Sequence, residues 1–227
     1  GRNSNKVYLF VTPLLLGKVL LQEGLCEEMT LPILSSLGWI LGSINDPELG
    51  AHLSSMAIDV AKNHHKKETP AVMAILYRSY SLIFTDSLLD LAKSAYEGWK
   101  LSIELSENIW GPLCGSWVII AKIYSGSSFD SFRGMARELE SICRKLNNTF
   151  LLDILAADLA VARGLMDDSM TSFDPVFINN NIEEIPYSRA TVRFARGMWH
   201  FFHEDYKTAY ICMKETGSLI EDTFGTP

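Results

Sequence analysis

Apolar residues recur along this chain with the period of an α-helix. Leu53, Met56, Ala57 and Val60 fall at i, i+3, i+4 and i+7. Leu88, Leu91, Ala92 and Ala95 do the same, and Trp99 and Ile103 continue their face. Phe132, Met135, Ala136, Leu139, Cys143 and Leu146 form a third set. Such spacing lays one apolar stripe along one side of a helix. Strand-like alternation bounded by turn residues is not found. Start signals agree with the stripes. Asp46-Pro47-Glu48 offers an N-cap, a proline at the first helical position and an acidic first turn. Thr69-Pro70 is a second start. Ser87-Leu88-Leu89-Asp90 has the shape of a capping box with Asp in place of Glu, and Ser128 is placed to cap the helix that carries Phe132.

These signals predict an all-α chain with helices near residues 7–24, 28–43, 47–63, 70–85, 88–107, 111–124, 129–147, 150–166, 186–203 and 205–222. The connections are short, which forces neighbouring helices to run antiparallel. One irregular stretch stands apart, near 167–185, with Pro175 and Asn179-Asn180-Asn181 inside it. A structureless loop of that length is unusual within a domain, so it reads either as a functional excursion or as a missed short helix.

Composition excludes several functions. Hydrophobic residues at 48% and charged residues at 21% suit a chain that buries a core. The net charge of −7 opposes nucleic-acid binding, which needs a basic face. The densest basic run, His64-His65-Lys66-Lys67, reads as a solvated turn between helices rather than a metal or pH-sensing site. The four cysteines, Cys26, Cys114, Cys143 and Cys212, are dispersed, each in an apolar helical pattern. They read as free buried thiols in a reducing, cytoplasmic setting, not as a disulfide framework or zinc site. Residues 7–16 faintly suggest a signal peptide, but Pro13, Lys18 and the lack of a cleavage site favour a first helix. No run has the length of a membrane span.

The helices also repeat. Residues 56–63, 101–108 and 139–147 resemble one another, at an interval of roughly 40 residues. Small or flat residues fall where repeated helices must approach or turn: Gly38, Gly42, Ala57, Gly98, Trp99, Gly126, Gly197 and Ala209. Residues 37–46 and 50–63, 119–148 and 193–216 resemble the tetratricopeptide-like region of ATPase-coupled, STAND-type sensor kinases. Tyr124-Ser125-Gly126 before a helix start, and Phe202 through Ala209 at a helix-to-helix turn, carry much of that likeness. The resemblance implies antiparallel pairs stacked as a tetratricopeptide-like α-solenoid, one domain over 1–227, belonging to a larger signalling protein. It implies a non-catalytic scaffold contacting a protein partner or neighbouring domains of the same chain. The alternative is an all-α ligand-binding or enzymatic domain with a pocket between helices.

Chemistry-bearing groups are sparse. His200, His203 and Glu204 share a helix end, but they fall at a turn, where polar residues are expected, and a fourth ligand is not in view. Asp167-Asp168 and Glu183-Glu184 read as a solvated acidic loop. A phosphate loop and a nucleophile elbow are both missing, and no Ser, His and acid suggest a triad. No catalytic, cofactor or metal residue is therefore assigned. Of the tryptophans, Trp39, Trp99, Trp110, Trp117 and Trp199, most read as core, with one or two at a surface.

Ala209 tests the register of the last pair. It is expected where the two helices meet, with Lys207 facing outward. Ala209→Trp should cost about 1–3 kcal/mol by overpacking, and Lys207→Trp much less. Equal denaturant midpoints for the two variants would show that register to be wrong.

Overall fold

The computed structural model describes residues 46–64, 69–82, 85–166 and 186–224, with residues 33–37 and a few positions near 15–22 and 172–177. Every regular element among them is helical. They are α1 Pro47–His64, α2 Thr69–Leu82, α3 Leu88–Leu105, α4 Trp110–Tyr124, a 3-10 turn Phe129–Ser131, α5 Arg133–Lys145, α6 Thr149–Gly164, α7 Pro186–Phe202 and α8 Tyr206–Phe224. Two compact units divide the chain between Ser125 and Gly126. Within the first, α1 packs on α2, α2 on α3, and α3 on α4, with α2 also reaching α4. Within the second, α5 packs on α6, α6 on α7, and α7 on α8. Packing thus follows chain order in each unit.

Local chemistry explains where helices begin. The Asp46 carboxylate accepts the Leu49 N–H at 3.0 Å. Ser87 Oγ accepts the Asp90 N–H at 3.2 Å and donates its own hydrogen to Asp90 Oδ2 at 2.7 Å. Asn148 Oδ1 caps α6 through the Leu151 N–H at 3.1 Å. Ser128 behaves differently from its expected capping role. Its side chain makes no cap bond, and the chain passes through the 3-10 turn before α5 starts after Phe132. The least predictable start is that of α4. Glu107, only 9% exposed, folds its carboxylate back to accept the N–H groups of Ile109, Trp110 and Gly111 at 2.8, 2.8 and 2.7 Å. An anion at a helix N-terminus satisfies orphan donors and complements the helix dipole.

The first unit's core gathers Ala57, Ile58, Ala71 and Ala74, with Leu34, Ile75 and Leu101 against them. Beside it lie Leu82, Leu91, Ala92 and Ala121, flanked by Leu88 and Trp117. In the second unit Leu139, Leu151, Leu155, Val161, Val192 and Trp199 are buried. Most of each expected stripe is buried or half-buried, with Ala57 buried in α1 and Leu91, Ala92, Ala95 and Trp99 in α3, but each loses one member to the surface. Met56 and Ile103 are exposed, while Ser54 and Ser102 are buried. At Ser102 a small residue takes the facing position because α4 approaches too closely there for a long side chain.

Gly111 shows how close. A Cβ on Gly111 would overlap Ser102 Cβ and Oγ on α3. Ser102 cannot swing aside freely, since its hydroxyl donates to the Trp99 carbonyl at 2.7 Å. Gly111→Ala should therefore destabilise the protein by about 1–3 kcal/mol. Ser102→Gly added to it should restore part of that loss, because the two positions share one contact. Thermal or urea melts in which the two changes simply add would place the α3–α4 contact elsewhere.

Candidate functional site in the α7–α8 hairpin

The turn between α7 and α8 is built by its own polar residues. Glu204 takes a left-handed φ of 62°, and the Asp205 N–H returns to the His200 carbonyl at 2.9 Å. Asp205 Oδ1 then accepts the Thr208 N–H at 3.2 Å, capping α8. Hydrogen bonds from Thr208, with the nearby His200, hold the Asp205 carboxyl below the usual carboxylate range. His200 Nδ1 lies 3.1 Å from the other Asp205 oxygen.

Behind the turn, His203 stacks on Trp199, with ring centroids 3.9 Å apart and planes 20° from parallel. His203 Nδ1 is 2.8 Å from the Trp199 carbonyl. A carbonyl only accepts, so that nitrogen carries the hydrogen. The stacked rings sit over Gly164 of α6: a Cβ there would overlap Trp199 Nε1 and come within 2.8 Å of Cδ1. The indole N–H is buried against this backbone and has no hydrogen-bond partner. His200 thus turns to Asp205 and His203 to Trp199, and among the described residues no three His, Cys, Asp or Glu side chains gather to hold a metal.

The outer side of the hairpin is aromatic. Tyr210 is 68% exposed, Tyr206 60% and Phe201 51%, with Phe194, Phe202 and Ile211 also open. The Phe201 ring meets Phe202 at 5.8 Å and Tyr206 at 5.7 Å, both steeply inclined, so these residues form one cluster. Arg189, Arg193, Arg196 and His200 follow at i, i+4, i+7 and i+11, along one side of a helix that contains no Asp or Glu. In a chain of net charge −7 this concentrates positive charge locally. A cleft of about 420 Å³ opens there, lined by Phe173, Arg193, Arg196, His200, Cys212 and Glu215 among others. Arg193 Nε is 3.5 Å from Glu215, and the Arg196 guanidinium lies over Phe173 at 5.6 Å. The arrangement suits recognition of apolar and acidic groups.

The residues singled out from the sequence are distributed, not gathered. Gly38, Gly42, Trp39, Cys26 and the acidic pairs 167–168 and 183–184 lie outside the described residues, as do residues 65–67. Ala57, Gly98 and Trp99 are buried in the first unit. A Cβ on Gly98 would come within 2.7 Å of Cys114 Sγ and 2.9 Å of Ile75 Cγ2. Gly126 has a φ of 74° with open space around it, so its glycine serves the turn after α4. In the second unit, a Cβ on Gly197 would lie 3.0 Å from Met213 and 3.1 Å from Cys212, and Ala209 is buried nearby on α8. Trp199 is buried, and Trp110 and Trp117 are half-buried.

Cys114, Cys143 and Cys212 are free and buried. Burial pushes the Cys143 thiol up to about 11 and raises Cys114 and Cys212 as well, which keeps them protonated and poorly nucleophilic at neutral pH. Asp153 and Asp158 of α6 are also buried, and sequence reading passed over both. The arginine stripe was passed over too, although its spacing is visible by counting. No described helix is long and apolar enough to cross a membrane. Comparison with protein-family models, curated proteins and solved structures returns no match for this chain.

Proposed function

We propose that this chain is a non-catalytic scaffold, a tetratricopeptide-like α-solenoid that mediates protein–protein or interdomain contacts within a larger cytoplasmic signalling protein. The observation that carries the reading is the open aromatic cluster of Phe201, Phe202 and Tyr206, with Tyr210 exposed one turn further along α8. Monomeric proteins rarely leave such a cluster facing water, and aromatic and arginine anchors dominate contact energies between proteins. Packing in chain order within each unit supports the repeat-like part of the reading, because a solenoid contacts mainly its neighbours. The likeness to the tetratricopeptide-like region of STAND-type sensor kinases supplies the signalling context.

A photo-crosslinking residue at Tyr210 in the full-length protein should yield discrete adducts, with another protein or with a distant segment of the same chain. Phe201→Ser with Tyr206→Ser should reduce that yield by about tenfold or more while the melting curve changes little, as expected for two anchors worth about 1–2 kcal/mol together. The same diffuse labelling at Tyr210 and at a control position such as Ser141 would contradict an interaction role for this face.

A further inference from the structure

A separate cleft of about 450 Å³ opens in the first unit across α1, α2 and α3, with His52, Arg78, Asp86, Lys93, Ser94 and Glu97 among its lining residues. Two of these residues hold buried polar atoms with no hydrogen-bond partner: Arg78 Nε and Ser94 Oγ. Ser94 is only 7% exposed. Helical serines usually satisfy themselves on the preceding turn, as Ser79 does on the Ile75 carbonyl at 3.0 Å and Ser102 on the Trp99 carbonyl at 2.7 Å. Ser94 makes no such bond. Buried donors are normally paired, so two orphans in one cleft call for an external partner.

The chemistry of that partner follows from the charges. A guanidinium N–H and a hydroxyl both donate to an anionic oxygen. The rest of the lining is acid-rich, with Asp86, Asp90 and Glu97 against Lys93. Asp90 is engaged by the Lys93 ammonium at 2.9 Å and by Ser87 at 2.7 Å, and Asp86 accepts the Thr85 hydroxyl at 2.8 Å. A dianion such as phosphate would be repelled by these carboxylates. A molecule carrying one carboxylate and one ammonium meets both halves of the lining, and the volume suits a small ligand.

We propose that this cleft binds a small zwitterion of the amino-acid class. Its carboxylate accepts hydrogen bonds from Arg78 Nε–H and Ser94 Oγ–H, and its ammonium faces Asp86 and Glu97. The site is independent of the scaffold reading drawn from the second unit.

The test follows the arginine Nε–H resonances of the whole protein by NMR. Glycine, 4-aminobutyrate and 6-aminohexanoate are titrated in, with acetate, ethylammonium and inorganic phosphate as single-charge and dianion probes. At least one zwitterion should shift the Arg78 signal saturably and bind about tenfold or more tightly than acetate, ethylammonium or phosphate. Arg78→Lys retains the charge but loses the Nε–H; followed instead through the backbone amides of residues 93–95, it should weaken that zwitterion about tenfold, as should Ser94→Ala followed through Arg78. Glu97→Gln, at an exposed position, should narrow the gap between the zwitterion and acetate and so keeps a readout if a buried variant misfolds. The proposal fails if no zwitterion saturates the signal. It also fails if acetate or phosphate binds as well, or if the folded variants bind like the wild type.

Discussion

The packing rests on helices meeting at positions where one partner has no side chain. Gly111 lies against Ser102, Gly98 against Cys114 and Ile75, Gly164 against Trp199, and Gly197 against Met213 and Cys212. At the first three a single added methyl would overlap its neighbour or come within 2.7–2.9 Å of it. Close packing of this kind fixes rotation and register together, because interiors do not yield continuously. Rotation of each helix then decides which residues are left outside. On α3, Ile103 faces water while its neighbour Ser102 occupies the tight contact with Gly111.

Both candidate surfaces follow from those rotations. Gly197 on α7 lies against Cys212 and Met213 of α8, and Gly164 lets the Trp199–His203 stack settle on α6. With those faces committed inward, Phe201, Tyr206 and Tyr210 have only the outside. In the first unit, α1, α2 and α3 leave a cleft on one side, with Arg78 Nε and Ser94 Oγ buried in its wall. The cleft is polar and the hairpin aromatic, so the two surfaces suit different ligands.

Much of the helix content was legible because caps and periodicity act locally. Asp46, Ser87 and Asn148 bond to the first turns that follow them, and their helices begin within a few residues of the expected starts. Ser128 was less legible, since a 3-10 turn through Phe129–Ser131 competes with direct helix entry. The Glu107 cap escaped notice because a glutamate in that place has no strong positional signature. The buried faces of α1 and α3 agree with the stripes except at Met56 and Ile103, and at Ile103 hydrophobicity points inward while the close approach of Gly111 favours Ser102. The cleft could not be read at all. It needs side chains from three helices whose relative rotation is set by contacts far apart in sequence. The arginine stripe, by contrast, lies on one helix and needed only counting.

The most direct test of glycine-centred packing is a set of nuclear Overhauser contacts in the uniformly labelled protein. The Gly111 α-protons should show strong cross-peaks to the Ser102 β-protons, and the Gly164 α-protons to the Trp199 indole N–H proton, as the overlaps of a Cβ at each glycine require. Both cross-peaks together are the predicted result. An indole proton of Trp199 that exchanges rapidly with water, with neither glycine contact present, would contradict this packing of the helices.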